Sequence, residues 1–115
     1  MALSEFEIKK IEKAGAAFLE KRRPPMHIRK ELDLGWRLEK QSVYIFETRP
    51  VWNNPAEYHD LDIAKTTFIR TKSHWKIFWM RQDLKWHGYE PNMHVKTIEQ
   101  FFSEVDRDQY ACFFG

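Results

Sequence analysis

Asp83 and Lys85 stand two residues apart, close behind Arg81. A carboxylate that holds a divalent cation and a lysine that stabilises developing charge are parts of a metal-dependent nuclease of the restriction type. That chemistry needs a second acid on a neighbouring strand, and Glu47 and Asp62 are available without any specific spacing. A turn aspartate that caps local amides and pairs with Arg81 explains the same residues without catalysis.

Other catalytic chemistry finds little support in the sequence. There is no G-x-S-x-G, no P-loop and no G-x-G-x-x-G, and the histidines lack the spacing of a zinc site. Cys112 is the only cysteine and stands beside Phe113, which favours a buried, inert thiol. We therefore predict no catalytic residue, no metal ligand and no cofactor, and we expect a protein that is not an enzyme.

Aromatic and basic residues alternate between Trp75 and Tyr89. Successive side chains of a strand point to opposite faces, so a strand here carries rings on both faces. Such rings can form core, meet a protein partner, or stack on the bases of single-stranded nucleic acid while the cations meet phosphates. The predicted candidate surface consists of Trp52, Trp79, Arg81, Asp83, Lys85, Trp86, His87 and Tyr89.

The elements that position these residues follow from the periodicity. Ser4 and Glu7 have capping-box spacing, and apolar residues then recur every three or four positions until Pro24, which predicts a first helix. Alternating apolar and polar residues then predict strands, and a helical stripe returns after Pro91. The expected strands are 32–38, 43–48, 66–71, 74–81 and 86–89, with a helix at 93–106 and an apolar end at 110–114 compatible with an edge strand.

Short gaps between the strands favour an antiparallel meander. The exception is 50–61, where two prolines and an Asn pair predict a long functional loop or lid. We predict an α+β fold in which an N-terminal helix and a C-terminal helix pack on one face of a meander sheet of four to five strands. The length of 115 residues fits a single domain over 1–115.

Composition excludes further classes. The formal net charge of +2 is too weak by itself to indicate nucleic acid. The mean hydropathy of -0.67 and the lack of a long apolar run argue against a membrane span, and the charged N-terminus argues against a secretory signal. With one cysteine, these features predict a cytoplasmic protein without a membrane partner.

The segment WKIFWMRQDLKWHGYEP at 75–91, together with ETRPVWNNP before it and the closing FFG, resembles a family of small bacterial cytoplasmic proteins known as a domain of unknown function. The resemblance covers nearly the whole chain and implies a bacterial origin and a single self-contained domain. It implies no activity and no catalytic residue.

Three hypotheses follow. The first is a non-enzymatic cytoplasmic interaction module that uses the aromatic and basic sheet surface to bind a protein partner or to form a homodimer. The second is a single-stranded nucleic-acid binder that uses the same surface. The third is a metal-dependent hydrolase built around Asp83, Lys85 and an acid such as Glu47.

Overall fold

The computed structural model describes residues 3–114, and its first element is helix α1 (Glu5–Arg22). The predicted capping box is present: the Ser4 hydroxyl accepts the Glu7 amide at 3.1 Å, and the Glu7 carboxylate accepts the Ser4 amide at 2.8 Å. The helix ends just before Pro24 and Pro25, as expected from residues that cannot continue it.

Antiparallel strands follow and form one sheet. They are β1 (Asp33–Glu39), β2 (Ser42–Val51), β3 (Asn54–Ile69), β4 (His74–Met80), β5 (Trp86–Gly88) and β6 (His94–Val95). The first five lie side by side in chain order, and β6 pairs with β4 as β5 does. The predicted meander is confirmed, and with six strands in the described chain the sheet is slightly larger than expected.

The segment at 50–61 is not a loop but the outer part of a hairpin arm. β2 and β3 remain paired out to Val51 and Asn54, with a tight turn between them. The first residue of β1, Asp33, lies opposite Thr48, so β2 has a free edge beyond Thr48. A proline is tolerated at a free edge because no neighbour requires its missing N–H. The prediction of a loop was wrong for this reason.

Helix α2 (Ile98–Arg107) begins later than predicted, because a short 3-10 turn (Glu90–Asn92) and β6 precede it. Thr97 and Gln100 form a second capping box at its start. The end of the chain is not an edge strand. Its backbone turns around Asp108, whose carboxylate accepts the amides of Phe113 and Phe114 at 2.9 Å.

Both helices cover the same face of the sheet. Gly15 of α1 lies so close to Trp36 of β1 that an added Cβ would stand 2.2 Å from the indole ring. Trp36 in turn meets Phe102 of α2 edge-on at 6.4 Å between ring centroids. The largest side chains with almost no exposure are Ile11, Val43, Ile45, Thr66, Ile77, Tyr89, Phe101 and Val105. This arrangement confirms the α+β class, and no helix among residues 3–114 is long and apolar enough to cross a membrane.

Candidate functional site

The opposite face of the sheet carries no helix in the part of the chain that the structure describes. Arg37, Tyr44, Lys65 and Phe78 are successive register partners across β1, β2, β3 and β4, so they form one row on this open face. Cation, ring, cation and ring therefore alternate across the sheet. With three neighbours this row makes up the open-face cluster, all of it partly exposed. The cluster is Arg37, Tyr44, Phe46, Lys65, Lys76, Phe78 and Trp86.

Lys65 lies at the centre of the open-face cluster. Its ammonium stands 5.5 Å from the ring centre of Tyr44, 5.3 Å from that of Phe78 and 5.8 Å from that of Trp86. The rings of Tyr44 and Trp86 meet at 6.1 Å. Cation–π attraction holds the ammonium at such distances without neutralising it.

The two lysines of the cluster differ from its arginine in their counter-charges. Within residues 3–114 neither Lys65 nor Lys76 has a carboxylate at ion-pair distance. Arg37 donates to both oxygens of Asp62, at 2.7 and 3.0 Å, and to Glu39 at 2.8 Å. These acids raise the pKa of Arg37 above its ordinary value, first through the Asp62 hydrogen bonds. Unbalanced positive charge is thus concentrated on the lysines.

Tyr89 and Trp79 of the predicted surface lie on the helix-covered side instead, as does His87, the register partner of Trp79. Tyr89 is fully buried, meets the Phe113 ring at a tilt with 4.8 Å between centroids, and has a pKa raised to about 12, mainly by burial. Trp79 is partly buried and packs against the core cluster. The full burial of Tyr89 removes it from any binding surface. Trp79 keeps part of its surface exposed, on the face of β4 that also carries Trp75 and Ile77.

Arg81, Asp83 and Lys85 are exposed in the turn between β4 and β5. Asp83 accepts the Lys85 amide at 3.0 Å, which confirms the predicted turn aspartate. Its side-chain partner is His87, at 2.8 Å, rather than Arg81. The hydrogen bond from His87 is the main reason that the pKa of Asp83 lies below its ordinary value. The guanidinium of Arg81 lies 5.4 Å from the Trp79 ring.

The structure does not bring the remaining predicted residues together. Trp52 is 91% exposed at the tip of the hairpin arm, whereas Trp86 belongs to the open-face cluster. Glu47 pairs with Arg49 at 3.3 Å, and Asp62 is bound by Arg37. Among residues 3–114, no three His, Cys, Asp or Glu side chains are grouped so that they could hold a metal ion.

Cys112 is partly buried, and burial raises the pKa of its thiol. A raised thiol pKa leaves less of the nucleophilic thiolate at neutral pH. This agrees with the inert thiol that its sequence context indicates.

Six residues of the open-face cluster escaped the sequence prediction. They are Arg37, Tyr44, Phe46, Lys76 and Phe78, and with them the central Lys65. The alternation in β4 held the signal: His74 and Lys76 share one parity with Phe78, while Ile77 has the other. In a sheet covered on one face, a charged residue such as Lys76 marks the side that faces solvent. Phe78 therefore belongs to the open side, and Trp79 to the covered one.

Comparison with known proteins adds one relationship. No curated protein and no solved structure matches the chain. A family model described as "Domain of unknown function (DUF3024)" matches residues 3–115. Because this match spans nearly the whole chain, the chain belongs to the DUF3024 family, in agreement with the resemblance carried by its aromatic and basic segment.

Proposed function

We propose that this chain binds single-stranded nucleic acid and that the open-face cluster is its ligand surface. The observation that carries the proposal is Lys65, whose ammonium lies among the rings of Tyr44, Phe78 and Trp86 and has no carboxylate at ion-pair distance within residues 3–114. A phosphate supplies the counter-charge that this ammonium lacks. The rings beside it offer stacking surfaces for unpaired bases.

The order of groups across the sheet supports the same ligand. Lys65 stands between the rings of Tyr44 and Phe78 in one row, and Lys76 lies 5.2 Å from the Phe78 ring in the next row. Alternating rings and cations match a strand in which bases alternate with phosphates. The rings are partly exposed beside the cations, and aromatic faces stack on unpaired bases, which the interior of a duplex does not offer.

Fluorescence anisotropy of labelled oligo(dT) and oligo(U), at low and near-physiological salt, tests this proposal. We expect binding that weakens steeply with salt, because bound cations release counterions. Lys65→Gln should weaken binding roughly fivefold to tenfold and lower the salt slope by about 0.7, the contribution of one phosphate contact on a single strand. Lys30→Gln, an exposed lysine of the connector before β1, is the matched control and should bind as the wild type does.

Two results would contradict the proposal. One is the absence of oligonucleotide binding even at low salt. The other is a Lys65→Gln variant that binds as tightly as Lys30→Gln does, which would remove the open-face cluster as the ligand surface.

Self-association is a second candidate, favoured by the hairpin arm. The arm exposes 91% of Trp52, 51% of Tyr58 and 43% of Leu61. A two-stranded hairpin that buries neither face is marginally stable by itself, so contact with another surface would stabilise it. Glu57 and Asp60 make the arm acidic, which suits the basic open face of a second copy better than nucleic acid.

Light scattering over a range of protein concentrations tests this second candidate. A dimer that becomes monomeric in Trp52→Ser/Tyr58→Ser, but not in the control Met26→Ser, would support it; Met26 is 77% exposed in the connector before β1. Excess oligonucleotide should also dissociate the dimer, because both ligands need the open face. A wild-type chain that stays monomeric at every concentration would refute self-association and leave the nucleic-acid proposal intact.

A further inference from the structure

We propose that His74, His94, Lys72 and Lys76 form a binding site for a phosphate monoester at the edge of the open face. The assignment of this phosphate to the end of a nucleic-acid strand rests on the function proposed above. The phosphate site itself does not depend on that function, because it follows from the contacts and charges of its own four residues.

The four side chains come from three elements, the 3-10 turn, β4 and β6, and converge at one edge. The rings of His74 and His94 lie 4.3 Å apart, centre to centre, at an interplanar angle of 40°. His94 of β6 is the register partner of Lys76, and His74 precedes Lys76 by two residues on β4, so all three belong to the open face. Lys72 ends the 3-10 turn (Arg70–Lys72) that leads into β4.

Negative charge is missing around this group. Within residues 3–114 none of the four side chains has a carboxylate at ion-pair distance. The row that contains His94 and Lys76 continues through Thr67 and Ser42 to Glu39, and that acid is bound to Arg37.

One of the two imidazoles has a ring nitrogen without a hydrogen-bond partner within residues 3–114. In the described chain, His74 Nε2 is buried without a hydrogen-bond partner, although His94 beside it is exposed and accessible. A buried polar atom without a partner is costly, and a small turn of the His74 ring toward a ligand bound at the exposed His94 would relieve that cost.

Electrostatics select an anion for this position. The pKa of His94 lies below its ordinary value of 6.5, first because neighbouring groups displace water from the ring and then because His74, Lys76 and Lys72 oppose its protonation. A phosphate reverses this balance, since its charge favours the imidazolium and accepts hydrogen bonds from it. A metal ion suits the same pair poorly, because two lysines flank it and no third ligand joins it among residues 3–114.

Proton NMR of the histidine ring signals tests the site with inorganic phosphate as the probe. The chain has five histidines, so His27 and His59 serve as internal controls on other parts of the surface. We expect phosphate, compared with chloride at equal ionic strength, to raise the pKa of His94 by about half a unit or more through the added negative charge. The controls should not move, and Lys72→Gln, an exposed change that leaves both rings in place, should reduce the effect.

A second experiment identifies the source of the phosphate. Oligonucleotides with a 5′-phosphate and with a 5′-hydroxyl are compared by anisotropy on the wild type, on His94→Gln and on the control His59→Gln. We expect roughly fivefold tighter binding of the phosphorylated strand to the wild type and to His59→Gln. His94→Gln should bind both strands alike.

The outcomes separate the two proposals. If phosphate moves His94 no more than chloride does, the site is refuted. If phosphate moves His94 but no oligonucleotide binds, the site is supported and the nucleic-acid function falls. If both oligonucleotides bind the wild type equally while phosphate still moves His94, the site is supported and its assignment to a strand end is overturned.

Discussion

Trp86 is the ring through which the open face can be examined most directly. It is partly exposed, meets Tyr44 at 6.1 Å, and contributes to the surroundings of Lys65. Trp75, by contrast, is only 5% exposed and belongs to the core. One tryptophan is thus available to a ligand while the other supports the fold, although both belong to the same aromatic and basic segment.

We expect Trp86→Ala to lose roughly tenfold in oligonucleotide affinity, because one stacked base contributes about 1–3 kcal/mol. Its free energy of unfolding should fall by much less than that of Trp75→Ala, for which removal of a buried ring costs about 3–5 kcal/mol. Anisotropy measures the oligonucleotide affinity of both variants, and urea unfolding measures their free energy of unfolding. Unchanged affinity in Trp86→Ala, or equal destabilisation of the two variants, would show that Trp86 is not a binding residue.

At this scale the sequence decides which residues can bind but not which face they occupy. Trp79 and Tyr89 have the right chemistry for a surface, but packing with residues remote in sequence buries Tyr89 fully and Trp79 partly. The position of Lys65 among rings depends on the register of three strands, which no local pattern contains. The capping role of Asp83, which needs only its near neighbours, was predictable.

Where α1 crosses β1, contact between the two elements limits which residue the helix can carry. Gly15 is buried in the middle of the helix, where glycine lowers helix stability by roughly 0.5–1 kcal/mol relative to alanine. The close approach of Trp36 explains why a side chain is not accommodated there. The helix therefore gives up intrinsic stability for contact with the sheet.

We expect Gly15→Ala to destabilise the protein by about 1–3 kcal/mol in spite of its better helix propensity, because the new Cβ clashes with the indole ring. Chemical denaturation measures this change. Trp36→Leu removes the indole ring and with it the clash. Adding Gly15→Ala to Trp36→Leu should therefore recover part of the stability that Trp36→Leu loses. If Gly15→Ala stabilised the protein in the wild-type background, the contact would not limit the helix position.

The start of α1 gives a pH-dependent prediction. The amide of Ser4 is the first cause of a Glu7 pKa below its ordinary value of 4.5, and Arg70, at 3.2 Å, adds to it. A carboxyl whose pKa is lowered by folding stabilises the protein above its unfolded pKa and loses that effect as pH falls through its folded pKa. Glu7→Gln keeps the acceptor for Ser4 but removes the charge.

We expect Glu7→Gln to lower the free energy of unfolding by about 0.5–1 kcal/mol at neutral pH, the usual size of such a helix-terminus contribution. The difference from the wild type should shrink as the pH falls below the ordinary value of 4.5 and vanish once the carboxyl is protonated in the folded protein. Urea unfolding of both proteins across this range is the measurement. A difference that stayed constant with pH would assign the effect to packing instead of charge.

Element boundaries divide into those that local chemistry determines and those that it does not. Both helices begin at capping boxes, and the first of these was recognisable from Ser4 and Glu7 alone. The hairpin arm was not recognisable, because prolines and an Asn pair are also the composition of a loop. Only the free edges of the arm, that of β2 beyond Thr48 and that of β3 before Ala64, make the two prolines compatible with strands.

For the whole molecule, the decisive asymmetry is a sheet with one face packed and one face open. The core cluster joins α1, α2 and the inner face of the sheet, and it includes Phe113 near the end of the chain. The open face holds lysines that have no carboxylate at ion-pair distance within residues 3–114, and the arm holds exposed aromatic residues. Stability and proposed binding therefore reside on opposite sides of the sheet.

This separation predicts how the chain unfolds. Because α1, α2 and the sheet share one core cluster, we expect a single cooperative transition in which far-UV circular dichroism and tryptophan fluorescence coincide. The amides of the outer arm, where Trp52 and Tyr58 are exposed, should exchange with solvent far sooner than those of Val43 and Ile45, since few buried contacts hold the arm. Trp52→Ser should accordingly leave the transition midpoint unchanged. Two separate transitions would mean that a helix or part of the sheet folds independently, and a midpoint shift in Trp52→Ser would mean that the arm contributes to the core.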